Sequence, residues 1–112
     1  MLEEEHAPTS SGMEHHVYFW LGADHQDESS RAVFESGLDT LCTSPFIAEH
    51  HWGKPAATAE RPVTDHSWDY AVSLKFSSMG DHDSYQEGDP IHDAFIAKFK
   101  EWWAKVLVMD LA

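Results

Sequence analysis

SWDYAVSLKF, residues 67–76, alternates strictly: Trp68, Tyr70, Val72, Leu74 and Phe76 share one parity, and Asp69, Ala71, Ser73 and Lys75 the other. Side chains along a strand point to opposite faces in turn. The segment is therefore predicted as a strand with one apolar face turned to a core. Before it, FIAEHHWG at 46–53 reads as another strand, closed by Gly53 and Pro55. Residues 54–66, KPAATAERPVTDH, hold two prolines among small polar residues and read as a loop. Near the N-terminus, HHVYFWL at 15–21 is rich in β-branched and aromatic residues. It reads as a strand apolar enough to be buried on both faces.

Helical spacing fills the intervals. In DESSRAVFESGLDTLC, 27–42, the apolar residues Val33, Phe34, Leu38, Leu41 and Cys42 recur on one helical face. Asp27 suits the N-cap and Glu28 the positive end of the helix dipole. Gly37 interrupts the pattern, at up to about 1 kcal/mol relative to alanine. Ser44-Pro45 ends the helix. SSMGDHDSYQEGDP, 77–90, reads as a turn with one short helix. IHDAFIAKFKEWWAK, 91–105, follows Pro90 and carries two adjacent stripes, Ile91-Phe95-Phe99-Trp102 and His92-Ile96-Phe99-Trp103. VLVMDLA, 106–112, returns to strand character.

The order β-α-β-β-α-β predicts an α+β, ferredoxin-like fold: a four-stranded antiparallel sheet with both helices on one face. Tyr18 and Trp20 then lie on the face opposite Val17, Phe19 and Leu21, with no segment left over to cover them. A second copy of the chain is the simplest cover. The expectation is a homodimer through Tyr18 and Trp20, its two sheets packed face to face and closing into an α/β barrel.

Composition bounds the function. The 112 residues fit one domain, and 42% hydrophobic with 12% aromatic content is enough for a modest core. Seven Lys+Arg against twenty Asp+Glu leave a net charge of −13. That balance argues against nucleic-acid and anionic-membrane partners, which need basic footprints. Cys42 is the one cysteine, so no internal disulfide is expected and a reducing cytoplasm fits. No apolar run reaches membrane-spanning length. MLEEEHAPTSSGM, acidic and without an apolar stretch, is read as a disordered tail over 1–13 and not as a signal peptide, with the domain at 14–112.

Nine histidines raise the question of metal. The doublets His15-His16 and His50-His51 lie in strands, where neighbours face apart. No His-x-His, Cys-x-x-Cys or His-Glu-x-x-His spacing occurs. No metal site and no cofactor are therefore assigned, and a site assembled across strands or between two copies stays open. His6, His25, His66 and His82 fall in the tail or in loops and read as solvated. Cys42 reads as a buried helix residue with nothing basic nearby to activate it.

HHVYFWL, then WGKPA at 52–56, then SYQEGDPIHDAF at 84–95 running into EWWAKVLVMDL at 101–111 resemble, in that order and spacing, the stress-responsive A/B barrel domain (Dabb) family. The resemblance covers 14–112. It implies a dimeric α+β barrel of two ferredoxin-like units and no single activity. The segment from Asp89 to Leu111 is similar, without a gap, to a plant polyketide cyclase of that family. The similarity implies His92 as a catalytic histidine, acting as general base on a carbonyl or polyketide-like substrate. It also places His15, with Phe19 at the family's strand phenylalanine, Asp110 and Tyr70 around a pocket between sheet and helices. Gln86 stands at the cyclase's catalytic tyrosine, with Tyr85 beside it. Asp89 replaces the first histidine of a His-Pro-x-His pattern.

The candidates are thus His92, Tyr85 and Tyr70 for catalysis, and His15, Asp110, Phe19 and Val72 for binding a small apolar or aromatic ligand. Their chemistry is coherent. An imidazole near a helix N-terminus stays neutral and can accept a proton. A tyrosine can hydrogen-bond a developing enolate. A carboxylate can fix a histidine's tautomer. Three readings follow: a ligand-binding barrel of unassigned activity, a cofactor-free cyclase or lyase, and a cofactor-independent monooxygenase-like barrel.

Overall fold

The computed structural model describes residues 12–112. The tail expected over 1–13 falls outside the described residues up to residue 11. Met13, placed in that tail by the sequence reading, is instead the first residue of β1 (Met13–Leu21) and is buried. The remaining elements are α1 (Glu28–Leu41), β2 (Glu49–Gly53), β3 (Tyr70–Phe76), α2 (Met79–Gln86), α3 (Pro90–Phe99) and β4 (Trp103–Leu111), with short 3-10 turns at Ala23–His25 and Lys100–Trp102. The strands form one antiparallel sheet in the order β2-β3-β1-β4, the predicted ferredoxin-like arrangement with one added short helix.

β1 alternates buried and half-buried along its whole length, so its odd-numbered residues form the inner face. Register carries that face across the sheet: Val17 pairs with Val72 on one side and Val108 on the other, and Phe19 with Tyr70 and Val106. α1 lays Phe34, Leu38 and Leu41 on this face, and α3 adds Phe95 and Phe99. Asp27 caps α1 as predicted, its side chain accepting from the Ser30 N–H. Val33 belongs to the predicted stripe but is 39% exposed. Gly37 has a packing reason: a Cβ there would lie 2.3 Å from Cε2 of Phe99. The glycine lets α3's aromatic ring rest against the α1 backbone.

Further boundaries differ from the sequence reading. β2 starts at Glu49 and not at 46, because residues 44–47 turn back on Ser44, which accepts from the Phe46 and Ile47 amides. α3 stops at Phe99 and β4 begins at Trp103, because Trp103 is drawn into pairing with Leu21. β3 starts at Tyr70. Trp68 therefore leaves the predicted parity and packs edge-on against Tyr18, on the opposite face, at 5.4 Å between ring centroids.

That last contact overturns one premise. The segment between β2 and β3 does reach the outer face of the sheet: besides Trp68, Ser67 accepts from the Trp20 indole N–H at 3.0 Å. Lys105 lies over the same indole, 4.5 Å from its centroid. Tyr18 and Trp20 are half-buried within one chain. Met109 and Leu111, further along β4, stay more than half exposed.

Asp69 fastens the start of β3 to α1. Its carboxylate accepts from the Leu21 amide at 2.8 Å and the Arg31 guanidinium at 2.7 Å, with Gln26 at 3.2 Å. Burial pulls its pKa upward, but these donors outweigh burial and leave it below the ordinary aspartate range. Asp69→Asn is expected to cost about 1–3 kcal/mol at neutral pH. Because the native carboxyl is the stronger acid, its contribution is complete above the unfolded pKa of about 3.9 and fades as pH falls through the lower native value. Urea melts of both proteins should therefore converge toward acid pH; a gap constant with pH would rule out the charged contacts as the cause.

Candidate functional site

β1, β4, α2 and α3 enclose a cavity of about 460 Å³ on the inner side of the sheet, a size suited to a small molecule. Val17, Phe19, Val106 and Val108 form its floor, and Phe95 and Ile96 of α3 lie across it. β4 is an edge strand, and its Val106 and Val108 are 37% and 47% exposed. The cavity opens along that edge.

Polar groups gather at one end. His15 and Asp110 are directly paired across β1 and β4, and His15 Nδ1 lies 2.6 Å from Asp110 Oδ1. A carboxylate can only accept, so Nδ1 carries the hydrogen and Nε2 keeps its lone pair. His15 is 5% exposed. Burial lowers its pKa, and the hydrogen bond and charge of Asp110 only partly restore it.

His92 stands at the third position of α3 and lines the same cavity. Its pKa is lowered, first by burial, against the opposing pull of Asp93 and Asp89. Among the described residues its Nδ1 is buried without a hydrogen-bond partner, the Asp93 carboxylate being 3.9 Å away. A buried lone pair is tolerated better than a buried orphan N–H. The favoured tautomer therefore places the hydrogen on Nε2. Tyr85 packs between the two histidines, its ring centroid 4.5 Å from His92 and 6.1 Å from His15. Burial raises its pKa far above the ordinary value, so it stays a hydroxyl.

Phe19 and Val72 line the cavity. Tyr70 does not. It lies beneath α1, donates to Glu35 Oε2 at 2.5 Å and has Arg31 5.6 Å from its ring. Burial and the Glu35 charge push its pKa up to about 12. Its hydroxyl found a partner on the helix, away from the cavity, and it is withdrawn as a catalytic candidate. Cys42 is buried and free, and burial lifts its thiol to about 11, in keeping with an unreactive side chain.

The sequence reading places His82 among the solvated residues and Gln86 at the cyclase's tyrosine position, without counting either as a candidate. Both belong to α2, capped at its start by Ser78, and both line the cavity with Tyr85. Positions 82, 85 and 86 share one helical face, and that spacing was the available signal. His82 is not solvated: its side chain is 14% exposed and its ring centroid lies 5.2 Å from that of His15.

The model of the stress responsive A/B barrel domain matches residues 13–112, nearly the whole chain. The chain belongs to that family. Solved structures agree in fold. A dimeric ferredoxin-like protein of unknown function from Thermobifida fusca YX is 20% identical, with a TM-score of 0.71 and 90% of each chain covered. A Dabb family protein from Mesorhizobium loti is 17% identical, with a TM-score of 0.70 over 90% of this chain and 95% of that one. Hydroxynitrile lyase from Passiflora edulis is 18% identical, with a TM-score of 0.74 over 90% and 92%. No curated protein matches the chain in sequence. In this Dabb domain Asp89 has a structural role: it is the N-cap of α3, accepting from the Ile91 amide at 2.9 Å and from the Ser44 hydroxyl at 2.6 Å. Among the described residues no helix is long and apolar enough to cross a membrane.

Proposed function

We propose that this Dabb domain binds a small, uncharged, largely apolar molecule bearing one carbonyl or hydroxyl group, and moves a proton on it without a cofactor. One observation carries the reading: His15, its Nδ1 held by Asp110, and His92, its Nδ1 buried without a partner, line the polar end of a largely apolar cavity. His15, oriented by Asp110, offers the Nε2 lone pair and is the general base. His92 offers Nε2–H, and Tyr85 a neutral hydroxyl, to oxygen charge that develops on the substrate. The base is thus His15 and not His92, the reverse of the role implied by resemblance to the cyclase. No Lys or Arg is among the lining residues, and the chain carries −13 overall, so an anionic substrate is disfavoured.

The unit is further proposed to be a homodimer. The Thermobifida relative is described as dimeric, and Met109 and Leu111 leave apolar surface on the outer face of the sheet.

The test is deuterium exchange next to the carbonyl of enolisable aromatic ketones, followed by NMR in D2O. The wild type should accelerate exchange, and His15→Ala should lose about 10²–10⁴-fold of that acceleration, the usual worth of a positioned base. Asp110→Asn should lose less, and His92→Gln should retain proton removal better than His15→Ala. Equal rates in wild type and His15→Ala would sink the assignment.

A further inference from the structure

We propose that His15, His82 and Asp110 form a binding site for one divalent first-row transition ion of the Zn2+ type. The three belong to three elements, β1, α2 and β4, and converge at the polar end of the cavity. Each offers one ligand atom, and these atoms lie within 4.8 Å of one another. Bonds of about 2.0–2.2 Å in a tetrahedral site place ligand atoms roughly 3.4 Å apart. The group is therefore within a side-chain adjustment of closing on an ion.

The burial pattern says which members give. His15 is held in the sheet at 7% side-chain exposure, whereas Asp110, at 43% exposure, has room to turn from its hydrogen bond with His15 toward an ion. His82 rides on the short helix α2, and its Nδ1 is already engaged by Asp83 Oδ1 at 3.1 Å. That outer carboxylate orients the imidazole and leaves its other nitrogen for a ligand, the arrangement common behind metal-bound histidines. Two imidazoles and one carboxylate select Zn2+, Co2+ or Ni2+ over Mg2+ and Ca2+, which require oxygen-rich shells. Three protein ligands also leave a fourth position open, as in catalytic and not purely structural sites. Metal and proton compete for His15, so the metallated and proton-accepting forms exclude each other.

Titration of the chelator-stripped full chain with Co2+, read by visible d–d absorption, should reach one ion per chain. Zn2+ should displace it and Mg2+ should not. His82→Ala and Asp110→Asn should each weaken binding by at least about tenfold, the lower bound seen even for loss of an outer-shell partner. The double variant His50→Ala/His51→Ala, on the exposed edge strand β2, should bind Co2+ as the wild type does. Absence of stoichiometric binding overturns the site, as does binding that survives both cavity variants or is lost with the edge histidines. Circular dichroism of each variant separates loss of ligand from loss of fold. No turnover is needed for this readout, so failure here and failure of the proton-transfer reading are told apart.

Discussion

Replacing Phe34 by alanine is expected to lower the unfolding free energy by about 3–5 kcal/mol, the cost of emptying a large aromatic site in a core. Phe34 is fully buried on α1. Its ring centroid lies 5.0–5.2 Å from those of Phe19, Tyr70 and Phe99, and 5.8 Å from that of Phe95. It touches the sheet and the other long helix at once, so no single neighbour can relax to fill the space. Domains of this kind have about 5–15 kcal/mol in total. The variant should show a much lower urea midpoint at an unchanged slope. A loss under about 1 kcal/mol would mean that α1 does not dock where described.

Asp89→Ala is the second large effect. One oxygen of Asp89 caps α3 and the other holds the hydroxyl of Ser44, and both side chains are buried. Loss of an N-cap costs about 0.5–2 kcal/mol. A buried hydroxyl left without its partner costs about 1–3 kcal/mol more. The expected total is about 2–4 kcal/mol. Ser44→Ala in the same background should then add little, because the partner is already gone. Additive losses in the double variant would show that the two side chains do not act as a pair. The carboxylate at this position gives a firm start to the helix that bears His92.

Much of the fold was legible because burial imposes periodicity. Odd-numbered residues of β1 and even-numbered residues of β3 face the helices as their alternation implied, and Asp27 caps α1. What was illegible has local causes. α2 buries only Tyr85 and so offers no apolar stripe to read. Trp102 and Trp103 extend the helical stripe of α3 without a Gly or Pro to stop it, and pairing with β1 decides the matter. Trp68 breaks parity because its indole finds Tyr18. In the site, the His15–Asp110 pair could be anticipated from strand parity and resemblance. His82 was harder to place, since the short helix within 77–90 buries only Tyr85 and shows by apolar pattern no face that meets the sheet. Tyr70 was misplaced because nothing in the chain order told that Glu35 would claim its hydroxyl.

The missing side chain at position 37 lets two helices seat closely against each other. Phe99 rests where a methyl group would otherwise be, and the rod ending in Phe99 begins two residues before His92. Any larger residue at 37 would have to displace the Phe99 ring. A locus with no chemistry of its own thereby sets how tightly the rod that carries His92 is seated.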